Sequence, residues 1–136
     1  MSRENVELHY RAADAFNLRD IDALLALFDP DGEFISRIVA LEGGRPYQGH
    51  DGVRRWWENL VAVFPDFSGK IDEVRDLGDV TVARVRVRGH GSHGMESDVP
   101  MEQTQWHVIE WRHKNAIWIS ICRSEDEALE AAGLRG

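Results

Sequence analysis

The stretch FNLRDIDALLALFDPDGEFIS, residues 16–36, decides the fold. A first helix is predicted to end near Asn17, and Asp20 is a residue type that caps the next helix. The short second helix buries four apolar residues: Ile21, Leu24, Leu25 and Phe28. Pro30 and Gly32 then turn the chain into a strand that starts at Gly32. The stretch therefore predicts a helix, a cap, a short helix, a proline turn and a strand, in that order.

Two amphipathic helices flank this stretch. In residues 4–17, four apolar positions recur at helical spacing: Val6, Tyr10, Ala13 and Phe16. The third helix follows the segment YQGHDGV, residues 47–53, and ends at Pro65. Four strands are predicted after it, at residues 68–77, 80–89, 101–112 and 116–123. Tight turns are expected at residues 78–79 and 113–115, and a short helix within residues 124–134.

Bulk composition narrows the class of protein. A chain of 136 residues suits one domain, residues 1–136. The net charge of −8 argues against nucleic-acid binding, which needs a concentrated positive field. Cys122 is the only cysteine, so no internal disulfide forms and a reducing compartment is expected. No stretch looks like a signal peptide or a membrane span, so we expect a cytoplasmic protein with no membrane partner.

This order of elements resembles the nuclear transport factor two-like superfamily, and within it the SnoaL-like polyketide cyclases and ketosteroid isomerases. The resemblance implies an α+β fold in which a curved, mostly antiparallel sheet wraps on the three helices of the N-terminal half. Such a cystatin-like cone encloses a conical pocket for a small hydrophobic or polycyclic molecule. Its convex sheet face commonly pairs with a second subunit, so a homodimer is expected. Neither a cofactor nor a metal is expected.

The isomerase pattern is incomplete when it is carried across residue by residue. The resemblance places Ala12 where the family has its oxyanion-hole tyrosine, and Ser36 where it has its proton-shuttling aspartate. Alanine has no proton to donate, and a serine hydroxyl without an activating partner is a very weak base. No aspartate of the kind the cyclases use is found at an inward strand position. Ordinary ketosteroid isomerase chemistry is therefore not expected.

His107 is the remaining candidate acid or base. Strand parity puts Gln105 and His107 on one face, and the resemblance aligns His107 with the second oxyanion-hole acid of the isomerases. A histidine there can act as general acid, general base or neutral hydrogen-bond donor, with Gln105 and Ser36 as polar orienters. The alternative is a half-buried histidine that only bonds a neighbouring group.

Four aromatic residues are candidates for ligand binding. The resemblance aligns Trp57 with a pocket aromatic of the isomerases, and strand parity adds Phe28, Phe34 and Trp118. Together they suit a flat, mostly apolar ligand. For each one alone, an ordinary place in the core is the alternative.

Two charged patterns have competing interpretations. Arg84, Arg86 and Arg88 share one strand face, either as an anion clamp or, as we favour, on the convex face beside acids such as Glu110. Arg37 has the same ambiguity. The glycine-rich segment 89–94 brings two histidines together, and a metal site would add a third ligand from further along the chain. Four residues form that candidate set: His90, His93, Glu96 and Asp98. We favour a flexible lid or a strand connection.

Three functions follow from these patterns. The first is an isomerase, cyclase or hydratase that uses His107 on a small hydrophobic metabolite. The second is a noncatalytic binding protein that uses the same cone, which the missing isomerase residues favour. The third is a protein-interaction module on this fold.

Overall fold

The computed structural model describes residues 2–36, 46–90 and 100–135. Within these residues the helices are α1 (Ser2–Asn17), α2 (Ile21–Ala26), α3 (Gly49–Val63) and α4 (Glu125–Arg135). The strands are β1 (Phe28–Ser36), β2 (Tyr47–Gln48), β3 (Ser68–Asp76), β4 (Val80–His90), β5 (Pro100–Arg112) and β6 (Asn115–Cys122). They form one curved, open sheet in the order β2-β1-β6-β5-β4-β3. Only β1 and β6 run parallel among these described strands, which confirms the mostly antiparallel α+β prediction.

The stretch at residues 16–36 folds largely as expected. Helix α1 ends at Asn17, and the Asp20 carboxylate caps α2 by accepting a hydrogen bond from Ala23 N at 3.0 Å. The start of the strand was predicted too late, because β1 begins at Phe28. Its register with β6 shifts between Phe28 and Glu33. The Pro30 turn is therefore an irregularity inside β1 rather than a break before it.

The sheet separates two layers of apolar packing. Helices α1, α2 and α3 cover the concave face, where Phe34, Trp56 and Ile109 belong to one core cluster. Helix α4 covers part of the opposite, convex face, where Ala128 and Ala131 pack with Val108 and Trp118. The short C-terminal helix predicted at residues 124–134 is therefore present, and it covers a surface expected to meet a second subunit. A homodimer through the rest of that face remains a prediction.

Polar contacts fasten α1 to the sheet and to the end of α3. The Asn17 side chain donates to Gly69 O at 2.7 Å and accepts from Gly69 N at 3.0 Å. Arg19 donates to Pro65 O at 3.0 Å, and its guanidinium lies 5.8 Å from the centre of the Phe16 ring. These contacts hold α1 over the concave face. None of the described helices is long and apolar enough to cross a membrane.

The hairpin between β5 and β6 has two consecutive residues with positive φ, His113 at 52° and Lys114 at 68°. Arg112 and Asn115 pair directly on either side of them. Two positive φ values between paired residues are typical of a type I′ turn, which favours Asn-Gly. A type I′ turn matches the twist of the two strands. His113 and Lys114 carry a Cβ atom, however, and a positive φ strains the backbone of such residues.

Substituting Lys114→Gly is expected to raise the free energy of unfolding by about 0.5–1 kcal/mol, because glycine adopts a positive φ without steric cost. Urea denaturation measures the change. Lys114→Ala is the matched control, since it removes the same exposed 3.8 Å ion pair with Glu4 but keeps the strain. A glycine variant no more stable than the alanine variant would contradict the turn assignment.

Candidate functional site

A cavity of about 250 Å³ lies between the concave face of the sheet and helices α1 to α3. Most of its lining is apolar, and the polar lining residues are His9, Asn17, Ser36, Gln103, Gln105 and His107. Of the residues that the structure describes, no aspartate, glutamate, lysine or arginine lines the cavity. An apolar cavity of about 150 Å³ already accepts benzene. The larger volume here leaves room for a bicyclic ring.

Five of the seven predicted site residues line this cavity. They are Phe28, Phe34, Ser36, Gln105 and His107. Ala12 lines it as well, so both positions at which the isomerase residues are missing do face the cavity. Their small side chains leave space where the family pattern would place larger, ionisable ones.

The expectation that Trp118 lines the cavity was wrong. If the residues of β5 and β6 paired one to one from Arg112 and Asn115 onwards, Trp118 would lie opposite Ile109 on the concave face. The register shifts beyond Trp111, however, so that Trp118 pairs with Glu110. The extra residue, Ile117, forms a bulge and turns Trp118 to the convex face, where it packs beneath α4.

The expectation that Trp57 lines the cavity was also wrong, because the neighbouring Trp56 takes that place on α3. Trp56 is buried and lines the cavity. Trp57 is only partly buried and lies beside it, with its ring centre 5.1 Å from that of Phe16. Successive residues on a helix point about 100° apart, so the two tryptophans cannot share one direction.

His107 faces the cavity from the middle of β5 and is held by a chain of amides. Its Nε2 lies 2.9 Å from Gln105 Oε1, and Gln105 Nε2 donates to Gln103 Oε1 at 3.3 Å. Because Gln105 presents its oxygen, the proton of the neutral ring is on Nε2 and the lone pair is on Nδ1. Burial lowers the pKa of His107 to about 4, so the ring is neutral at pH 7.

His9 is a second histidine that lines the cavity, and it is not among the site residues predicted from the sequence. Only 3% of it is exposed, and its Nδ1 lies 2.7 Å from Thr81 Oγ1. Trp111 Nε1 donates to the same oxygen at 2.9 Å. Burial is the largest cause that lowers the pKa of His9 to about 3, and repulsion by the charged form of His107 adds to it. Both cavity histidines are therefore neutral at pH 7.

The helical spacing of residues in α1 could have identified His9 as a residue that faces the cavity. Residues His9, Ala12, Ala13 and Phe16 fall on one face of α1, and all of them line the cavity. The apolar stripe predicted from the sequence instead includes Tyr10, which is 44% exposed. A histidine placed among small residues on an inward helix face is a candidate site residue.

The arginine row lies on the convex face, as favoured from the sequence. Arg84, Arg86 and Arg88 are exposed, while the alternating Val85 and Val87 line the cavity. An acid beside two of these arginines is Asp72, at the bulge in β3. Its Oδ2 lies 3.0 Å from Arg86 Nε and 3.9 Å from Arg84 Nε. The row therefore does not clamp an anion inside the cone.

His90 belongs to a contact at the end of β4. Its ring Nδ1 lies 2.6 Å from Asp66 Oδ2, and its backbone N donates to Asp66 Oδ1 at 2.7 Å. The side-chain hydrogen bond from His90 lowers the pKa of Asp66. Within residues 2–36, 46–90 and 100–135, no three His, Cys, Asp or Glu residues are placed to hold a metal. The other residues of these sequence patterns, Arg37, His93, Glu96 and Asp98, lie outside the described residues.

A family model described as the SnoaL-like domain matches residues 9–118. The chain belongs to the SnoaL-like domain family. No curated protein matches this SnoaL-like protein. Similar solved structures include an NTF2-like protein of unknown function from Burkholderia pseudomallei, with 19% identity and a TM-score of 0.78. The match covers 93% of this chain and 95% of that one.

Two further structures are similar to this SnoaL-like protein over nearly their whole length. IdmH, a putative polyketide cyclase from Streptomyces antibioticus, shares 21% identity at a TM-score of 0.77, covering 94% of this chain and 97% of IdmH. TerC, co-crystallised with polyporic acid, shares 19% identity at a TM-score of 0.77, covering 93% of this chain and 98% of TerC. At these identities the likeness shows the fold alone.

Proposed function

We propose that this SnoaL-like protein binds a small, neutral, mostly apolar ketone and moves a proton at the carbon beside the carbonyl, with His107 as the base. The observation that carries the proposal is a neutral imidazole, held by Gln105, facing an apolar cavity of about 250 Å³. Proton removal next to a carbonyl is the first step of both double-bond isomerisation and aldol-type ring closure. The proposal therefore covers an isomerase or a cyclase.

The ligand class follows from the lining of the cavity. With no charged side chain among the described lining residues, an ionic ligand would lose its hydration without gaining a partner. A neutral ring system instead gains from contact with Phe28, Phe34 and Trp56. One similar structure carries polyporic acid and another is a putative polyketide cyclase, and both support an organic ring ligand.

The protonation state of His107 suits a base. A pKa lowered to about 4 leaves the ring unprotonated throughout the neutral range. Gln105 occupies Nε2, so the free lone pair is on Nδ1. Such a base is weak, and it needs a substrate whose carbanion is delocalised onto oxygen. In this proposal Gln105 fixes the ring, and Ser36 lines the same cavity as a polar orienter.

Deuterium exchange into neutral ketones tests the proposal. The protein is incubated in D2O with 1-tetralone, 2-tetralone or cyclohexenone, and the loss of the α-hydrogen signals is followed by NMR. Quenching of tryptophan fluorescence reports binding, because Trp56 and Trp111 line the cavity. We expect saturable exchange faster than in buffer, and its loss in the cavity-filling variant Ala12→Phe. Failure of all three ketones to bind would overturn the proposal.

A noncatalytic binding protein is the second candidate. It is favoured by Ala12 and Ser36, since both face the cavity and supply neither a strong acid nor a strong base. This candidate predicts ketone binding without exchange, and that result would also exclude the enzyme proposal. Native mass spectrometry of freshly purified protein extends the test to any ligand that copurifies.

A further inference from the structure

We propose that His9 binds the oxygen of the ligand as a hydrogen-bond donor, and that Thr81 and Trp111 are positioning residues that fix its ring in the required tautomer. This inference rests on the proposed function only for the class of ligand, a neutral ketone. The assignment of the tautomer stands on the geometry of the three side chains alone.

The first step is the direction of the hydrogen bonds at Thr81. The indole N–H of Trp111 is only a donor, so Thr81 Oγ1 accepts it at 2.9 Å. The Thr81 side chain is fully buried, and its own proton needs an acceptor. His9 Nδ1, at 2.7 Å, is the acceptor that the described residues provide. The Thr81 hydroxyl therefore donates to Nδ1.

The second step concerns the other nitrogen of His9. A neutral imidazole that accepts at Nδ1 carries its proton on Nε2. His9 lines the cavity, and within the described part of the chain its ring forms a hydrogen bond with Thr81 through Nδ1. The hydrogen bonds from Trp111 to Thr81 and from Thr81 to His9 thus leave His9 with an N–H donor for a ligand in the cavity.

The third step compares the two histidines. Gln105 holds the proton of His107 on Nε2 and leaves a lone pair on Nδ1, so His107 is the acceptor and His9 the donor. Both lie near the same part of the sheet, because Thr81 pairs with Ile109 and Ala83 pairs with His107. A ketone matches this pair: its oxygen accepts from His9 while an α-hydrogen faces His107. The N–H of His9 then also stabilises the negative charge that develops on that oxygen.

The tautomer is measured directly by 15N NMR of the histidine side chains at pH 7. We expect His9 to be protonated at Nε2 and unprotonated at Nδ1 in the ligand-free protein. Thr81→Ser should keep this state, whereas Thr81→Val should release it and populate both tautomers. A wild-type ring protonated at Nδ1 would overturn the inference, whether or not the valine variant folds.

The donor role is measured by comparing a ketone with its hydrocarbon analogue. The affinity ratio of 1-tetralone to tetralin should fall about fivefold to tenfold in His9→Leu, which has lost the donor. His107→Leu is the matched control and should keep the ratio, because an acceptor cannot bind a carbonyl oxygen. An unchanged ratio in His9→Leu, or an equal fall in both variants, would overturn the role of His9.

The two proposals fail in different ways. The affinity ratio involves no proton transfer, so its loss in His9→Leu is observable even if the protein exchanges no hydrogen. Exchange that persists while the ratio is insensitive to His9 refutes only the inference. A ratio that depends on His9 without any exchange refutes only the proposed catalysis.

Discussion

Replacing His107 with alanine is expected to lower the rate of α-hydrogen exchange about 10²–10⁴-fold, the usual range for a lost general base. The affinity for 1-tetralone should change little, because the ring of His107 is one group in a largely apolar lining. NMR exchange rates at saturating ketone measure the effect. The free energy of unfolding of the variant, measured in parallel, shows that its cavity is still folded.

The size of this effect depends on the absence of a substitute base. Nδ1 of His9 is already bonded to Thr81, and its pKa of about 3 makes it a weaker base than His107. Ser36 has only a hydroxyl. No carboxylate lines the cavity among the described residues, so none is available to take the proton. His113→Ala, at the exposed hairpin between β5 and β6, is the control and should keep the full rate. A His107→Ala variant with the full rate would refute the assignment.

The pH profile of exchange gives an independent check on the same base. Because burial lowers the pKa of His107 to about 4, the neutral ring that we propose as the base is almost fully populated from pH 8 down to about pH 5. We expect kcat/KM to be flat over that range and to fall only in stronger acid. A midpoint near the ordinary histidine pKa of about 6.5 would instead indicate an exposed base.

Local patterns in the sequence predicted most of the fold and part of the site. The Asp20 cap and the alternation along β5 depend on neighbours in the chain, so they placed α2, Gln105 and His107 correctly. Trp118 was misplaced because a single bulge at Ile117 reverses every later side chain on β6. Such a bulge is set by packing across the sheet, which local spacing does not encode.

The role proposed for His9 illustrates a second limit of the sequence. Its partner Thr81 lies 72 residues away, and Trp111 lies a further 30 residues along the chain. No local motif joins three such residues, and each has an ordinary place on a helix or strand. The packing of α1 on β4 and the pairing of β4 with β5 bring them together. Buried polar groups of this kind are found by following hydrogen bonds rather than by following spacing.

Acidification from pH 7.5 to pH 5 is expected to lower the free energy of unfolding by about 3–4 kcal/mol, through the two cavity histidines. In the unfolded chain each has a pKa near 6.5, whereas burial lowers the folded values to about 3 for His9 and about 4 for His107. Below pH 6.5 the unfolded state therefore binds more protons than the folded state. Stability is complete above pH 6.5 and falls as the pH drops toward the folded pKa values.

Each histidine that stays neutral at pH 5 contributes about 2 kcal/mol to this loss, at 1.36 kcal/mol per pH unit below 6.5. His9 is almost fully buried and should contribute the whole amount. His107 is partly exposed to the cavity, so its share is between about 1 and 2 kcal/mol. Most carboxylates titrate below pH 5, which leaves histidines to dominate this window.

Urea denaturation at pH 7.5 and pH 5 measures the fall in the free energy of unfolding, and histidine variants show which residue causes it. His9→Leu should reduce the difference between the two pH values by about 2 kcal/mol, even if it lowers stability at both. His113→Gln, at the exposed turn between β5 and β6, is the control for replacing a histidine outside the cavity. If wild-type stability were equal at the two pH values, the cavity histidines would not be shielded from water.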